Sequence, residues 1–164
     1  MVNYRHGNLF MSNCKIFCHQ TNCRGAMGRG IAASVRALYP RAYHELQLRY
    51  SLGLAELGEI DFCCCWDAEA KDDRFIVNMY SQDNYFPVNK GIVFTDYEAF
   101  RKCCRRIKHE IYRYWPNSTD KIKVGFPSHI GCGLAGGDWV IVRQIIEEEF
   151  AGPKWTVEVW EYEN

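Results

Sequence analysis

The sequence predicts an α/β fold, in which a layered sheet carries helices on both faces. Short apolar runs alternate with amphipathic segments along the 164 residues, as expected when strands and helices succeed one another within one domain. Two glycine clusters each lie between a predicted strand and a predicted helix. In such folds, ligands bind where the carboxyl ends of strands lead into loops.

The predicted strands are short, apolar and bounded by polar or glycine-rich stretches. They are Lys15–His19, Glu59–Trp66, Phe75–Tyr80, Lys123–Phe126 and Thr156–Trp160. A charged turn at Lys71–Arg74 separates the second from the third. The predicted helices are Ile31–Leu38, Arg41–Leu52, a segment from Thr95 that ends before Pro116, and Trp139–Phe150.

The helix after Thr95 carries the clearest pattern. Thr95 and Glu98 have the spacing of a capping box, in which Thr caps the helix and Glu follows three residues later. Apolar residues then recur at three- and four-residue spacing, which forms one stripe of a helix. They are Tyr97, Phe100, Cys104, Ile107, Ile111 and Tyr114.

Composition favours a single cytosolic domain spanning residues 1–164. Lys plus Arg and Asp plus Glu are 20 each, so the formal net charge is zero. This excludes a chain that binds nucleic acid by overall charge. The nine cysteines are odd in number and partly adjacent, unlike a secreted disulfide framework. No signal peptide or membrane-spanning run is visible.

The first glycine loop, Asn22–Ile31, and the second glycine loop, Gly131–Asp138, have matching places in the chain. Each follows a strand and leads into a helix, where glycine lets backbone amides approach an anion. Two such loops indicate a ligand with two linked anionic groups, most simply a diphosphate. The spacing matches neither the Rossmann nor the Walker A pattern. The amide of Asn22 either caps a turn or binds a hydroxyl-rich ligand.

The segment HQTNCRGAMGRGIAASVRALYP followed by IGCGLAGGDW resembles the macro domain family. It is most similar to the subgroup of the yeast-type ADP-ribose 1″-phosphate phosphatase and the terminal ADP-ribose protein glycohydrolase. GNLF at residues 7–10, NMYSQDNYF and TDYEAF support the resemblance, which extends from about Tyr4 to Trp160. It implies a three-layer α/β/α sandwich with a mixed central sheet, which binds ADP-ribose in a cleft and needs no cofactor.

The resemblance also implies roles for particular residues. Asn22 would hold the distal ribose, and Gln82 would lie beside it. Asn8 and Leu9 would lie at the adenine, with Asn8 where the family usually has Asp. The diphosphate would lie between residues of the two glycine loops: Gly28, Arg29, Gly30 and Ile31 on one side, and Gly131, Cys132, Gly133, Leu134, Ala135 and Gly136 on the other.

Catalysis is less clearly marked. The glycohydrolase branch uses a Lys and an Asp at the places where this chain has Gln82 and Ala135. An amide cannot form the covalent adduct of a lysine amine, so that mechanism should be absent. The remaining catalytic candidates are His19, Asn22 and Asp138, with Asp83 and His129 as weaker ones. His19 and Asp138 also have structural alternatives, as a core histidine and as a helix N-cap.

Three functions remain open at this point. The chain either hydrolyses an ADP-ribose derivative, as a phosphatase or ADP-ribosyl hydrolase, or acts without turnover as an ADP-ribose reader or nucleotide-metabolite sensor. A nucleic-acid module is disfavoured by the neutral charge. Zinc is disfavoured as well, because Cys14 and Cys18 fall on one strand face and His19 on the other. The expected partner is ADP-ribose or an ADP-ribosylated macromolecule, bound by a monomer without contact to membranes.

Overall fold

The computed structural model describes residues 2–86 and 91–162. Six strands and four α-helices follow one another within these ranges. The strands are β1 Val2–His6, β2 Ile16–Asn22, β3 Ile60–Asp67, β4 Asp72–Gln82, β5 Ile122–Pro127 and β6 Trp155–Glu161. The helices are α1 Gly30–Leu38, α2 Pro40–Ser51, α3 Tyr97–Tyr114 and α4 Trp139–Glu149, and a short 3₁₀ turn spans Leu9–Met11.

The six strands form one mixed sheet in the order β1-β6-β5-β2-β4-β3. All neighbours are parallel except β3 and β4, which are antiparallel. One apolar cluster joins the sheet to α3 and α4, and a second joins the opposite face to α1 and α2. The predicted α/β/α sandwich with a mixed sheet is therefore confirmed.

The stripe predicted on α3 explains how that helix packs. Phe100, Cys104, Ile107 and Ile111 are fully buried in the cluster between α3, α4 and the sheet. Tyr114 at the end of the stripe is 44% exposed, and its ring contacts Phe62 and Phe75. No helix among the described residues has the length and apolar character needed to cross a bilayer.

The cap of α3 differs from the prediction. Asp96 is the N-cap, and its carboxylate accepts a hydrogen bond from the amide of Ala99 at 2.8 Å. Thr95 is buried one residue earlier, and its hydroxyl donates to the carbonyl of Gly131 at 2.6 Å. The capping-box spacing was misleading because Asp and Thr both cap helices well, and Thr95 has a tertiary partner.

Two further differences concern strands. No strand is predicted at β1, a polar and partly exposed strand at the edge of the sheet that pairs with β6. The predicted charged turn at Lys71–Arg74 lies mostly within β4, whose first residue is Asp72. Arg74 is buried there, and its burial is compensated by an ion pair with Asp67 of β3, with 3.3 Å between Nη1 and Oδ2.

Candidate functional site

A cleft of about 640 Å³ opens at the carboxyl ends of β2, β4 and β5. Residues 20–22, 26–32, 82, 85–86, 127–131 and 133–135 line it. Both glycine loops therefore contribute walls to one cavity, at the edge of the sheet where α/β folds bind ligands. Of the residues predicted to bind ligand, Asn22, Gly28, Arg29, Gly30, Ile31, Gln82, Gly131, Gly133, Leu134 and Ala135 line the cleft.

Asn22 organises the first glycine loop. Its Oδ1 accepts hydrogen bonds from the amides of Arg24 at 2.9 Å and Ala26 at 3.2 Å. Its Nδ2 donates to the carbonyl of Ala26 at 2.9 Å. The side chain thus caps the turn, and one hydrogen of its amide nitrogen remains for a ligand.

Helix α2 braces the same loop from behind. Gln47 donates through its Nε2 to the carbonyl of Gly25. The ring of Tyr50 lies so close that a Cβ on Gly25 would be 2.8 Å from its Cδ1. Gly25 also has a φ of +73°, so only glycine satisfies both the backbone conformation and the contact.

The loop ends at an uncapped helix N-terminus. Arg29 is the N-cap of α1, in an extended conformation, and its side chain makes no capping hydrogen bond. The first turn contains no acidic residue. The amides of Gly30, Ile31 and Ala32 lack partners within the helix, and these three residues line the cleft, which suits an anionic group.

The second glycine loop is tied to the segment that precedes α3. The carbonyl of Ala135 accepts from the amides of Phe94 at 2.8 Å and Thr95 at 3.3 Å. In the part of the chain that the structure describes, the amides of Gly133, Leu134 and Ala135 have no protein acceptor. These three amides are therefore available to a ligand.

The walls leave room beside two of the glycines. A Cβ built on Gly28 or Gly133 meets no atom within 4 Å, and neither residue has a left-handed φ. A side chain at either position would therefore extend into open space rather than into the protein. Gly28 and Gly133 are accordingly suited to tests that fill the cleft without disturbing the fold.

Two residues with amide side chains line the cleft at the ends of neighbouring strands. Asn22 on β2 and Gln82 on β4 are partners in the strand register, just after a shift between Thr21 and Asn22. Gln82 donates from Nε2 to the carbonyl of Asn84 at 3.0 Å and accepts at Oε1 from Gln20 at 2.9 Å. Like Asn22, it retains one amide hydrogen.

His19 lies outside the cleft, contrary to the expected catalytic role. It is completely buried among the residues between β2 and α2, and its Nε2 lies 2.7 Å from Oδ1 of Asn78. Burial lowers the pKa of His19 to about 4, although the bond to Asn78 opposes this shift. Because β2 side chains alternate, His19 points away from the face of Gln20. A general acid or base must reach its substrate, and His19 does not.

Asp138 is the N-cap of α4. Its carboxylate accepts from the amide of Val140 at 2.8 Å, and it is not among the residues that line the cleft. Asp138 is therefore a helix N-cap, the structural role predicted from the sequence as the alternative to catalysis. At the N-terminus of α4, unlike that of α1, the N-cap side chain accepts a hydrogen bond from a backbone amide of the first turn.

The four other predicted ligand-binding residues also lie outside the cleft lining. Asn8 caps the 3₁₀ turn by accepting from the amide of Phe10 at 2.9 Å, and Leu9 is buried in the core beside β5. Cys132 donates through Sγ to the carbonyl of Ile130 at 3.3 Å, and burial raises its pKa to about 11. Gly136 packs against the carbonyl of Ile92.

Several lining residues were missed by the sequence reasoning. Gln20, Tyr85, Phe86 and Ser128 face the cleft, and the two aromatic side chains are largely exposed. His129, a weaker candidate from the sequence, also lines the cleft and is stacked on Trp139 with ring centroids 5.1 Å apart. Alternation along β2 would have indicated Gln20, because it shares the strand face opposite His19.

Arg29, Tyr85 and His129 are the titratable side chains among the described lining residues. His129 has a left-handed φ of +58°, and its Nδ1 lies 2.8 Å from the hydroxyl of Ser128. Within residues 2–86 and 91–162, no group of three or more His, Cys, Asp or Glu side chains could hold a metal ion. All nine cysteines are free thiols.

No protein-family model and no curated protein sequence matches the chain. Solved structures do match. A Bacteroides thetaiotaomicron protein of unknown function superposes with a TM-score of 0.79 at 25% identity, over 98% of both chains. The macrodomain of Mycobacterium tuberculosis DarG gives 0.77 at 20% identity, over 98% of this chain and 97% of that one.

A third similar structure is Thermosipho africanus DarTG in complex with ADP-ribose. Its TM-score is 0.75 at 18% identity, over 97% of this chain and 41% of that one. These structures share the mixed sheet and the helical layers on both of its faces with the present chain, over nearly its whole length. The chain therefore has the macrodomain fold.

Proposed function

We propose that the chain binds ADP-ribose, free or attached to a macromolecule, in the cleft between the two glycine loops. One observation carries the proposal. The same cavity is lined by Gly30, Ile31 and Ala32, whose amides lack partners within α1, and by Gly133, Leu134 and Ala135, whose amides have no protein acceptor among the described residues. Amides on two walls match a ligand with two linked anionic groups, and the exposed guanidinium of Arg29 adds a positive charge.

The floor of the cleft supports a ribose beside the diphosphate. Asn22 and Gln82 are neighbours in the register of β2 and β4, and each retains one amide hydrogen. Two neighbouring donors match the two hydroxyls of a ribose diol. The Thermosipho africanus DarTG complex with ADP-ribose, which has the same fold, supports the same ligand here.

Thermal unfolding with ligands tests this function directly. ADP-ribose at millimolar concentration should raise the melting temperature, because it binds the folded state alone. ADP should raise it less, since it lacks the ribose that Asn22 and Gln82 would bind, and AMP should raise it least. A melting curve that ADP-ribose leaves unchanged would remove the proposal.

A second candidate function is hydrolysis of an ADP-ribose derivative, such as ADP-ribose 1″-phosphate or an ADP-ribosylated protein. The observation that favours it is His129, whose ring is fixed in the cleft wall by Trp139 and Ser128. An imidazole in this place has the chemistry of a proton donor or acceptor. The amides of the second glycine loop would stabilise negative charge that develops on the substrate.

Product analysis separates the two candidates. The wild-type chain is incubated with each derivative, and free ADP-ribose or phosphate is measured. His129→Asn is the matched variant, because Asn tolerates a left-handed φ while lacking the imidazole. If His129 transfers a proton, turnover should fall about 10²- to 10⁴-fold with binding retained. Binding without product would leave the reader function alone.

Covalent capture tests the route that the sequence disfavours. Gln82 carries no amine, and Ala135 carries no carboxylate, so no lysine adduct should form. Borohydride treatment during incubation should leave the mass of the chain unchanged. An added ADP-ribosyl mass would mean that another amine of the chain attacks the ribose.

A further inference from the structure

Gln20 joins three elements around the cleft through one side chain. Its Nε2 donates to Oε1 of Gln82 at 2.9 Å and to the hydroxyl of Thr95 at 3.0 Å. Its Oε1 accepts from the hydroxyl of Ser81 at 2.8 Å. Both amide hydrogens are therefore used, and the orientation of this amide is fixed by its partners.

Thr95 continues the connection to the second glycine loop. Its hydroxyl donates to the carbonyl of Gly131 at 2.6 Å, and the side chain is buried. A carbonyl only accepts, and a hydroxyl has one hydrogen. Thr95 must therefore donate to Gly131 and accept from Gln20, so the bonds run in one direction from Gln20 to the loop.

The close approach of Gln20 explains the residue type at position 131. A Cβ on Gly131 would lie 2.7 Å from Oε1 of Gln20, and the φ of Gly131 is +73°. The backbone conformation favours glycine, and a larger residue would also displace the amide of Gln20. The second glycine loop therefore packs against the side chain of Gln20 and is also hydrogen-bonded to Thr95.

We propose that Gln20 and Thr95 are positioning residues that couple the ribose side of the cleft to its diphosphate side. This proposal rests on the proposed function. Gln82 lies at the ribose end of the connection and Gly131 at the other, with Gln20 and Thr95 between them. The connection holds Gln82 and the second glycine loop in one arrangement before the ligand binds. A ligand that contacts both therefore binds more tightly, because fewer side chains and loop residues lose conformational freedom on binding.

The coupling makes ADP-ribose different from ADP. ADP engages the loop amides without needing Gln82, whereas ADP-ribose engages both ends of the connection. Loss of the hydroxyl of Thr95 should therefore weaken both ligands through the loop. It should weaken ADP-ribose more, because the amide of Gln20 then loses one of the partners that orient it towards Gln82.

The matched pair Thr95→Val and Thr95→Ser tests the proposal. Valine has the shape of threonine without the hydroxyl, and serine keeps the hydroxyl. We expect Thr95→Val to weaken ADP-ribose about three- to tenfold by calorimetry, and Thr95→Ser to restore affinity close to wild type. Equal affinities of the two variants for ADP-ribose would overturn the proposal.

A double-mutant cycle provides a readout that a merely structural role would not move. Gln82→Ala and Thr95→Val are combined, and ADP-ribose affinity is measured for all four proteins. If Gln20 couples the two positions, the double variant should lose less binding free energy than the sum of the losses in the two single variants. Additive losses would contradict the proposal. Where Thr95→Val does not fold, Gln20→Met replaces it and removes the same connection from its other end.

The two levels of inference fail differently. If the wild-type chain does not bind ADP-ribose, the proposed function fails, and the coupling fails with it. If the wild type binds ADP-ribose but the serine and valine variants agree, or the cycle is additive, the proposed function stands and the coupling is wrong.

Discussion

Asn22 and Gln82 are direct partners in the register of β2 and β4, and both residues line the cleft. The two side chains nevertheless make different hydrogen bonds. Asn22 makes three hydrogen bonds within the first glycine loop. Gln82 makes one to the backbone and one to Gln20. The same truncation at the two positions should therefore have different consequences.

Asn22→Ala should weaken both ADP and ADP-ribose, because it removes the bonds that shape the first glycine loop. Gln82→Ala should weaken ADP-ribose about three- to tenfold and leave ADP within about twofold, because only ADP-ribose carries the second ribose. Calorimetric titration of both ligands measures the difference. A Gln82→Ala variant that loses ADP and ADP-ribose equally would contradict the assignment of the ribose.

Gly133→Val should fold normally and lose ADP-ribose by at least about tenfold. A Cβ at this position meets no protein atom within 4 Å, so the added side chain would extend into the cleft. Gly28→Glu should act similarly, by bulk and by repulsion of the diphosphate. Gly28→Lys is the charge control, and it should bind more tightly than Gly28→Glu. Full affinity in Gly133→Val would mean that the loops are ordinary turns.

The buried His19 should make stability depend on pH. Its pKa is about 4 in the folded chain, below the ordinary value near 6.5, so the unfolded chain binds more protons between these values. The stabilisation is complete above about pH 6.5 and is lost as the pH falls to about 4, by about 3 kcal/mol. Urea unfolding across this range measures it.

Replacement of His19 tests the same point. His19→Leu should flatten this part of the pH profile, and it should cost about 1–3 kcal/mol at neutral pH because Oδ1 of Asn78 loses its donor. His44→Ala, at an exposed position on α2, is the control and should change little. If His19→Leu instead abolished ligand turnover while the stability stayed intact, the placement of His19 outside the site would be wrong.

Glu149 should matter more for stability than its neighbour Glu148. Glu149 is 8% exposed and accepts hydrogen bonds from Arg101, Arg105 and Lys108. Burial acts to raise its pKa, but the bonds from Lys108 and Arg101 outweigh this and lower the pKa. Glu149→Gln should cost about 2 kcal/mol or more, because three cations lose their shared partner. Glu148→Gln, at an exposed pair, should cost about 1 kcal/mol or less by the same unfolding assay.

The sequence predicted the layers of this fold because its apolar stripes are regular. The stripe on α3 and the apolar runs of β2 and β5 become core, as their spacing indicates. The edge strand β1 could not be predicted in this way, because a polar strand at the border of a sheet has little apolar pattern. Its formation depends on hydrogen bonds to β6, which is distant in sequence.

The parts of the candidate site that are formed by backbone could be predicted from the glycines of the two loops. The glycine loops were found because glycine is needed where amides approach an anion. Side-chain orientation was harder to derive. His19 and Gln20 are adjacent, and the choice of His19 followed the chemistry of the residue rather than its strand face. Similarly, Thr95 had two plausible partners, and only the tertiary structure showed that it binds Gly131 rather than the amides of α3.

The two glycine loops are braced from opposite faces of the sheet. Gln47 and Tyr50 of α2 support the first, and the segment at Phe94 and Thr95 supports the second. A molecule that bridges the loops would therefore link the two helical layers on opposite faces of the sheet. Local opening of either layer would then require release of the ligand, so its occupancy should slow amide hydrogen exchange at the end of α2 and at the start of α3 together.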